Sequence, residues 1–362
     1  IVEKELDGVK DQISQLLTET IPFALCPSIT KQLLDRLDNE RDFEEKLAVS
    51  KVIDEFASKI KKEYKTKSAK LNKAVEKISK DYINILPGSD AGIKYIFEVL
   101  SGSKKRTMAA VYPTYGMLDI YAKIYQYKFI RIISEKNLIT NIKRIFNKKL
   151  SFFYIANPNQ PSGKYIDQKT ILNIVKIAQK KNIFVIIDEA YIDFCKFKSI
   201  SCFVKKFKNL IVLKTFSKSF GLAGLRIGYL IANQKFNKIL NSVRPCFDVS
   251  HFSLKVAEYL LRKIDIKNSY VKQINKNKKY LIKECKKRDL KFVNTEANFF
   301  YIKMPNSQIK KIYNFMFSKK IIIRTGFLND FKNLNNSIRI TVSNEATMRK
   351  FFILLDKIYK RN

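Results

Sequence analysis

Apolar and polar positions sort residues 82–232 into short apolar runs alternating with stretches of helical period. The runs are Tyr82–Leu86, Thr107–Tyr112, Phe129–Ile133, Ser151–Ala156, Ile183–Ile187, Leu210–Leu213 and Leu225–Ala232. Helical spacing marks Ile93–Leu100, a stretch after Gly116, another reaching about Asn147, and Asp167–Lys181. Near-continuous apolar strands separated by helices predict an α/β domain with a mostly parallel, seven-stranded sheet. Beyond it, Phe252–Lys286 reads as helical and very basic. Strands expected at Asn298–Lys303, Ile321–Arg324 and Ser337–Thr341, with helices near 307–319 and 345–360, make a smaller α+β domain. Ahead of the sheet, Glu3–Glu19 and Phe43–Tyr64 have helical spacing in a polar region. The expected division is therefore an N-terminal helical segment over 1–80, a large α/β domain over 81–250, and a linker helix with a small domain over 251–362.

Composition narrows the class without naming it. The chain has 362 residues, 46% of them hydrophobic, enough for a large core. No run of about 18 apolar residues exists, so no membrane span is expected. Ile1–Leu6 lack the pattern of a secretory leader, and five cysteines without a C-x-x-C pair suit a reducing, cytoplasmic setting. A single His251 leaves little room for His-based metal or triad chemistry. The net charge of +37 would suggest nucleic acid, but the lysines are dispersed over nearly every helix rather than gathered in a stripe, so no nucleic-acid partner is expected.

Three segments carry chemistry. Thr215-Phe-Ser-Lys-Ser-Phe-Gly-Leu-Ala-Gly-Leu-Arg-Ile-Gly228 follows an apolar run and sets Lys218 and Arg226 among hydroxyls and glycines. Such a turn lets backbone N–H groups approach an anion, and a lysine held there can act as an amine nucleophile. Asn157-Pro-Asn-Gln-Pro-Ser-Gly163 ends a strand; its prolines and glycine explain a turn, but nothing about the turn requires Asn157. Asp188-Glu-Ala-Tyr191 ends the apolar strand Ile183–Ile187, where a carboxylate is costly without a partner. Upstream, Pro87-Gly-Ser-Asp-Ala-Gly92 precedes a helix: it could hold a phosphate on the helix dipole, or Ser89 or Asp90 could simply cap the helix.

In this order, the segments resemble class I/II aminotransferases, pyridoxal-phosphate enzymes of fold type I, with a particular likeness to histidinol-phosphate aminotransferases over roughly residues 83–360. The resemblance implies pyridoxal 5′-phosphate bonded through its aldehyde to Lys218. It places Asp188 against the pyridine nitrogen, Tyr115 stacked on the ring, and Asn157 and Tyr191 on the 3′-oxygen. Ser89, Asp90, Thr215, Ser217 and Arg226 would surround the phosphate. Lys218, Asp188 and Tyr191 would be catalytic, and Arg324 and Arg339 would bind an anionic substrate. It also implies small-molecule amino and keto substrates and a homodimer. Relatives carry a Tyr-Pro element near the N-terminus that reaches the neighbouring subunit's cofactor; here neither Tyr64 nor Tyr82 precedes a proline. The expected activity is amino transfer to a keto or phosphorylated keto acceptor, with a decarboxylase resembling threonine-phosphate decarboxylase as the alternative. A cofactor-binding regulator lacks a helix-turn-helix signal in 1–80, and a basic nucleic-acid binder that has lost catalysis is at odds with intact Lys218, Asp188, Asn157 and Arg226.

Overall fold

A computed structural model of the protein describes residues 80–102, 106–133, 138–325, 334 and 336–359. The helices expected within 1–79, and with them Tyr64 and Cys26, lie outside these residues. Seven strands form one sheet: β1 (Ile83–Leu86), β2 (Thr107–Val111), β3 (Lys128–Ile132), β4 (Phe152–Ala156), β5 (Phe184–Asp188), β6 (Leu210–Thr215) and β7 (Gly228–Ile231). Their order is β1-β7-β6-β5-β4-β2-β3. The β3-β2-β4-β5-β6 pairs are parallel, and β7 runs antiparallel to both β6 and β1.

The apolar runs became inner strands because helices cover both faces of this sheet. All five residues of β4 are buried. The edge strand β3 is different: Lys128 and Arg131 are exposed, charges that discourage pairing with another edge. Period-2 alternation divides the apolar side chains between two cores. On one face Tyr154, Ile186 and Leu213 pack with α1 (Ser89–Ser101), α2 (Met117–Ile124) and α5 (Gln234–Val243). On the other, Phe153, Ile155, Val185 and Val212 pack with α3 (Leu138–Phe146), α4 (Gln168–Gln179) and α6 (His251–Arg262).

A third core belongs to the smaller unit. Strands β8 (Phe292–Val293), β9 (Phe299–Lys303) and β10 (Ser337–Thr341) form an antiparallel sheet, order β10-β9-β8, packed with α7 (Ile264–Lys287), α8 (Asn306–Ser318) and α9 (Glu345–Ile358). Two sequence expectations need correcting. Ile321–Arg324 is not a strand; only Arg324 pairs, through a bridge to Arg339, and Ile322 is 81% exposed. The region 251–286 is two helices, and they serve different cores: Leu254 to Leu261 pack under the large sheet, whereas Ile274, Leu281 and Cys285 pack with the small one. The packing changes hands at Lys263, which separates α6 from α7, and not at 250. Among the described residues no helix is long and apolar enough to cross a membrane.

Candidate active site

The parallel strands β2, β4, β5 and β6 deliver their C-terminal ends to one edge of the sheet, where open α/β sheets bind ligands. There Ser89, Asp90, Tyr115, Asp188, Tyr191, Thr215, Ser217, Lys218 and Arg226 line a single cavity together with Gln160. Residues far apart in the sequence thus meet because the crossovers return each strand in the same direction.

One end of the cavity is built for an anion. Helix α1 begins beside it, and its N-cap, Gly88, offers no side chain to the first-turn N–H groups. Neither Ser89 nor Asp90 is the cap, so the capping alternative fails and these donors with their dipole suit a phosphate. Gly88 has φ 88, and a Cβ there would lie 2.8 Å from an Arg226 guanidinium nitrogen. The left-handed backbone favours glycine here, and the bare Cα also lets the Arg226 guanidinium approach closely. Arg226 itself holds φ 46, a conformation that surrounding packing must impose on a non-glycine residue. The Thr215 hydroxyl accepts from the Ser217 N–H at 3.1 Å, closing the turn before Lys218. Asp90 accepts the Tyr121 hydroxyl at 3.1 Å, while its other oxygen is buried without a hydrogen-bond partner. A carboxylate repels a phosphate, so only the backbone of Asp90 suits such a ligand.

At the other end Asp188 is 7% exposed. Its Oδ1 accepts the Ala190 N–H at 3.0 Å and its Oδ2 accepts the Tyr154 hydroxyl at 2.7 Å. Burial pushes its pKa up, against the pull of these donors and of Lys218. Burial pushes Lys218 down, helped by the positive charges of Arg339 and Arg226 and opposed by Asp188. Its ammonium lies 5.4 Å above the Tyr191 ring. Burial, and then the charge of Asp90, raises the Tyr115 phenol to about 12. A cation at the inner end would relieve Asp188, and an anion at the outer end would occupy the uncapped α1 turn and Arg226. These residues fit a phosphorylated, nitrogen-protonated ring. Ser217 and Lys218 also line a second cavity of about 470 Å³ between the large and small cores, so the amine stands between the two spaces.

Asn157 is gripped by the backbone rather than set in the cavity wall. It is 2% exposed and does not line the cavity. Its Nδ2 donates to the Ile166 carbonyl at 3.0 Å, and its Oδ1 accepts the Ile166 N–H at 2.8 Å. One amide N–H and the amide oxygen thus hold the chain that follows the loop. Three residues on, Gln160 faces the cavity and accepts the Tyr191 hydroxyl at 2.8 Å through Oε1. The sequence contained this residue within the quoted loop, but the pattern does not say which amide points inward. Arg339 and Arg324 stand beside the cavity rather than in its wall. They are bridged to each other on the small sheet, with the Arg339 guanidinium 5.3 Å from the Phe299 ring centre. Tyr301, opposite Arg339 in the register, donates to the Pro161 carbonyl at 2.5 Å and ties this sheet to the loop. Among the described residues no cluster of His, Cys, Asp and Glu could hold a metal ion.

The sequence matches the family described as aminotransferase class I and II over residues 21–353. It is 34% identical over 288 residues to a histidinol-phosphate aminotransferase of Buchnera aphidicola subsp. Cinara cedri, covering 77% of this chain and 79% of that one. The fold is similar to a putative histidinol-phosphate aminotransferase from Erwinia carotovora atroseptica, with a TM-score of 0.75 at 21% identity over 93% of each chain. It is also similar to the histidinol-phosphate aminotransferase of Sinorhizobium meliloti, solved in complex with pyridoxal 5′-phosphate, with a TM-score of 0.74 at 19% identity over 92% of this chain and 87% of that one.

Proposed function

The chain belongs to the class I and II aminotransferases, and from that premise we propose that it moves an amino group from an amino acid to a phosphorylated keto acceptor, using pyridoxal 5′-phosphate bonded at Lys218. The observation that carries this reading is the single cavity that gathers Tyr115, Asp188 with Tyr191, and Lys218 with Arg226 from three separate segments. When bound, the cofactor supplies an electron sink for a substrate α-carbanion. The chain's own residues do the rest. Arg226, the uncapped N–H groups of α1 and the hydroxyls of Thr215 and Ser217 anchor the phosphate. Asp188, a buried carboxylate, keeps a proton on the ring nitrogen. Tyr115, in the cavity wall, would stack on the ring face. Tyr191, which is hydrogen-bonded to Gln160, would hold the 3′-oxygen with Asn157 as the sequence suggested, and Gln160 in the cavity wall would add a further amide beside them.

Lys218 is suited to carry a proton between the substrate α-carbon and the cofactor. Its lowered pKa keeps more of its amine neutral near neutral pH, and general-base efficiency peaks when pKa approaches the working pH. Arg339 and Arg324 supply the positive field for the acceptor's anionic group. The named activity of the relatives favours amino transfer over decarboxylation. We also infer a homodimer, on the family resemblance; a sedimentation experiment giving a fully active monomer at micromolar concentration would exclude it. The central test is reduction of the cofactor-loaded protein with borohydride, then peptide mapping. The label should fall on Lys218; a label elsewhere, or none with cofactor in excess, overturns the assignment.

A further inference from the structure

We infer that Tyr154 is a positioning residue that sets the charge and aim of Asp188 through a buried hydroxyl-to-carboxylate hydrogen bond. This extends the reading of Asp188 as the ring-nitrogen partner and rests on it in part. Tyr154 sits in the middle of β4, fully buried, in a core it shares with Leu86, Met108, Phe152, Ile186 and Leu213 and with three less deeply buried tyrosines, Tyr95, Tyr121 and Tyr127. A hydroxyl in such a place needs a partner. In-register pairing sets Ala156 beside Asp188 and Tyr154 beside Ile186, so Tyr154 projects on the same face as Asp188, one step back along the sheet. Its hydroxyl donates to Asp188 Oδ2 at 2.7 Å. Phenylalanine would satisfy the core equally well; the hydroxyl makes sense only toward Asp188.

The bond has two consequences. It turns the carboxylate, with Ala190 N–H holding the second oxygen, so that the remaining lone pairs face the cavity. It also stabilises the ionised form, opposing burial, which is the largest influence on Asp188 and raises its pKa. Tyr115, Tyr191, Lys218 and Glu189 act on Asp188 from the surrounding elements as well, and Asp90 acts on Tyr154. Of these groups, Tyr154 is the one side chain that donates a hydrogen bond to the carboxylate. An ionised Asp188 is the state that can hold a proton on a ring nitrogen.

The test compares wild type, Tyr154→Phe, Asp188→Asn and the double variant in two arms. In the first, thermal unfolding of cofactor-free protein is followed from about pH 4, near the ordinary carboxylate value, to about pH 8, because ionising a buried carboxylate of raised pKa costs stability as pH climbs from the unfolded to the folded value. The fall in midpoint over that range should be larger in Tyr154→Phe than in wild type, and Tyr154→Phe should add nothing to that fall in the Asp188→Asn background. In the second arm, the half-reaction with an amino donor is followed in cofactor-loaded protein. Tyr154→Phe should slow it about tenfold, the worth of one hydrogen bond to a charged group, without raising KM. In the Asp188→Asn background the same change should have less than about a twofold effect, because the pair acts as a unit. Equal slowing in both backgrounds, or a pH dependence unchanged by Tyr154→Phe, overturns the proposal. If wild type binds no cofactor, the functional reading fails instead, and the first arm still decides whether Tyr154 controls Asp188.

Discussion

Gly228→Ala is expected to damage both the fold and the anion end of the cavity. Gly228 opens β7 and sits between two strands, opposite Thr215 of β6 and Leu86 of β1. A Cβ there would lie 2.7 Å from the Lys214 carbonyl oxygen, 2.8 Å from the Ser89 nitrogen and 3.0 Å from the Gly88 carbonyl carbon. All three neighbours are backbone, so no side chain can rotate away and the strand and the α1 turn must separate. Overpacking of this kind costs about 1–3 kcal/mol, and rigid neighbours place this site toward the upper end. At roughly 1.3 °C per kcal/mol for a chain of this size, the melting midpoint of cofactor-free protein should fall by roughly 2–4 °C. The displaced Ser89 N–H belongs to the proposed phosphate cradle. Losing one hydrogen bond to a charged group is worth about 1.5–3 kcal/mol, so the dissociation constant for pyridoxal phosphate should rise roughly ten- to hundredfold. Gly102→Ala is the control: φ is −64 there and its Cβ would meet nothing within 4 Å. That change should leave the midpoint unaltered or raise it slightly, by reducing the freedom of the unfolded chain. Calorimetry and a cofactor titration read both quantities. If Gly228→Ala melts within about 1 °C of wild type and binds within about twofold, the close approach of β7 to the α1 turn is not what shapes this site.

Two further outcomes are expected. Lys218→Met should raise the midpoint of the cofactor-free protein at neutral pH: a lysine whose folded pKa is depressed destabilises the fold while charged, and that penalty disappears as pH rises through the folded toward the unfolded value, so the variant's advantage should shrink in alkaline buffer. Asn157→Ala and Gln160→Ala should separate cleanly. The first should lower stability by about 1–3 kcal/mol in denaturant titrations, because the Ile166 backbone groups lose their partners; the second should leave stability nearly unchanged and weaken cofactor binding. An Asn157→Ala protein of wild-type stability with a lost cofactor site would show that Asn157 serves the cofactor and not the loop.

The alternation of apolar runs and helical periods was enough to determine the large sheet, since a strand covered on both faces can be built from little else. Motif spacing then placed Lys218, Asp188 and the Gly-Ser turn at strand ends. The short apolar stretch Ile321–Ile323 misled because burial was available to only part of it: Ile323 is 4% exposed and Ile322 81%. Likewise the helical period ran through Lys263 without revealing that α6 and α7 serve different cores. What the pattern could not decide was the direction of individual polar atoms. Asn157 and Gln160 are both amides in one loop, and only the return of the chain at Ile166 claims the first and leaves the second to the cavity. Tyr154 reads as one more core aromatic until β5 is set beside β4 and brings Asp188 within 2.7 Å of its hydroxyl. Periodicity specifies which face of an element is buried; which partner a buried donor or acceptor finds is decided only when the elements pack, because every such group must be satisfied by whatever the tertiary structure places beside it.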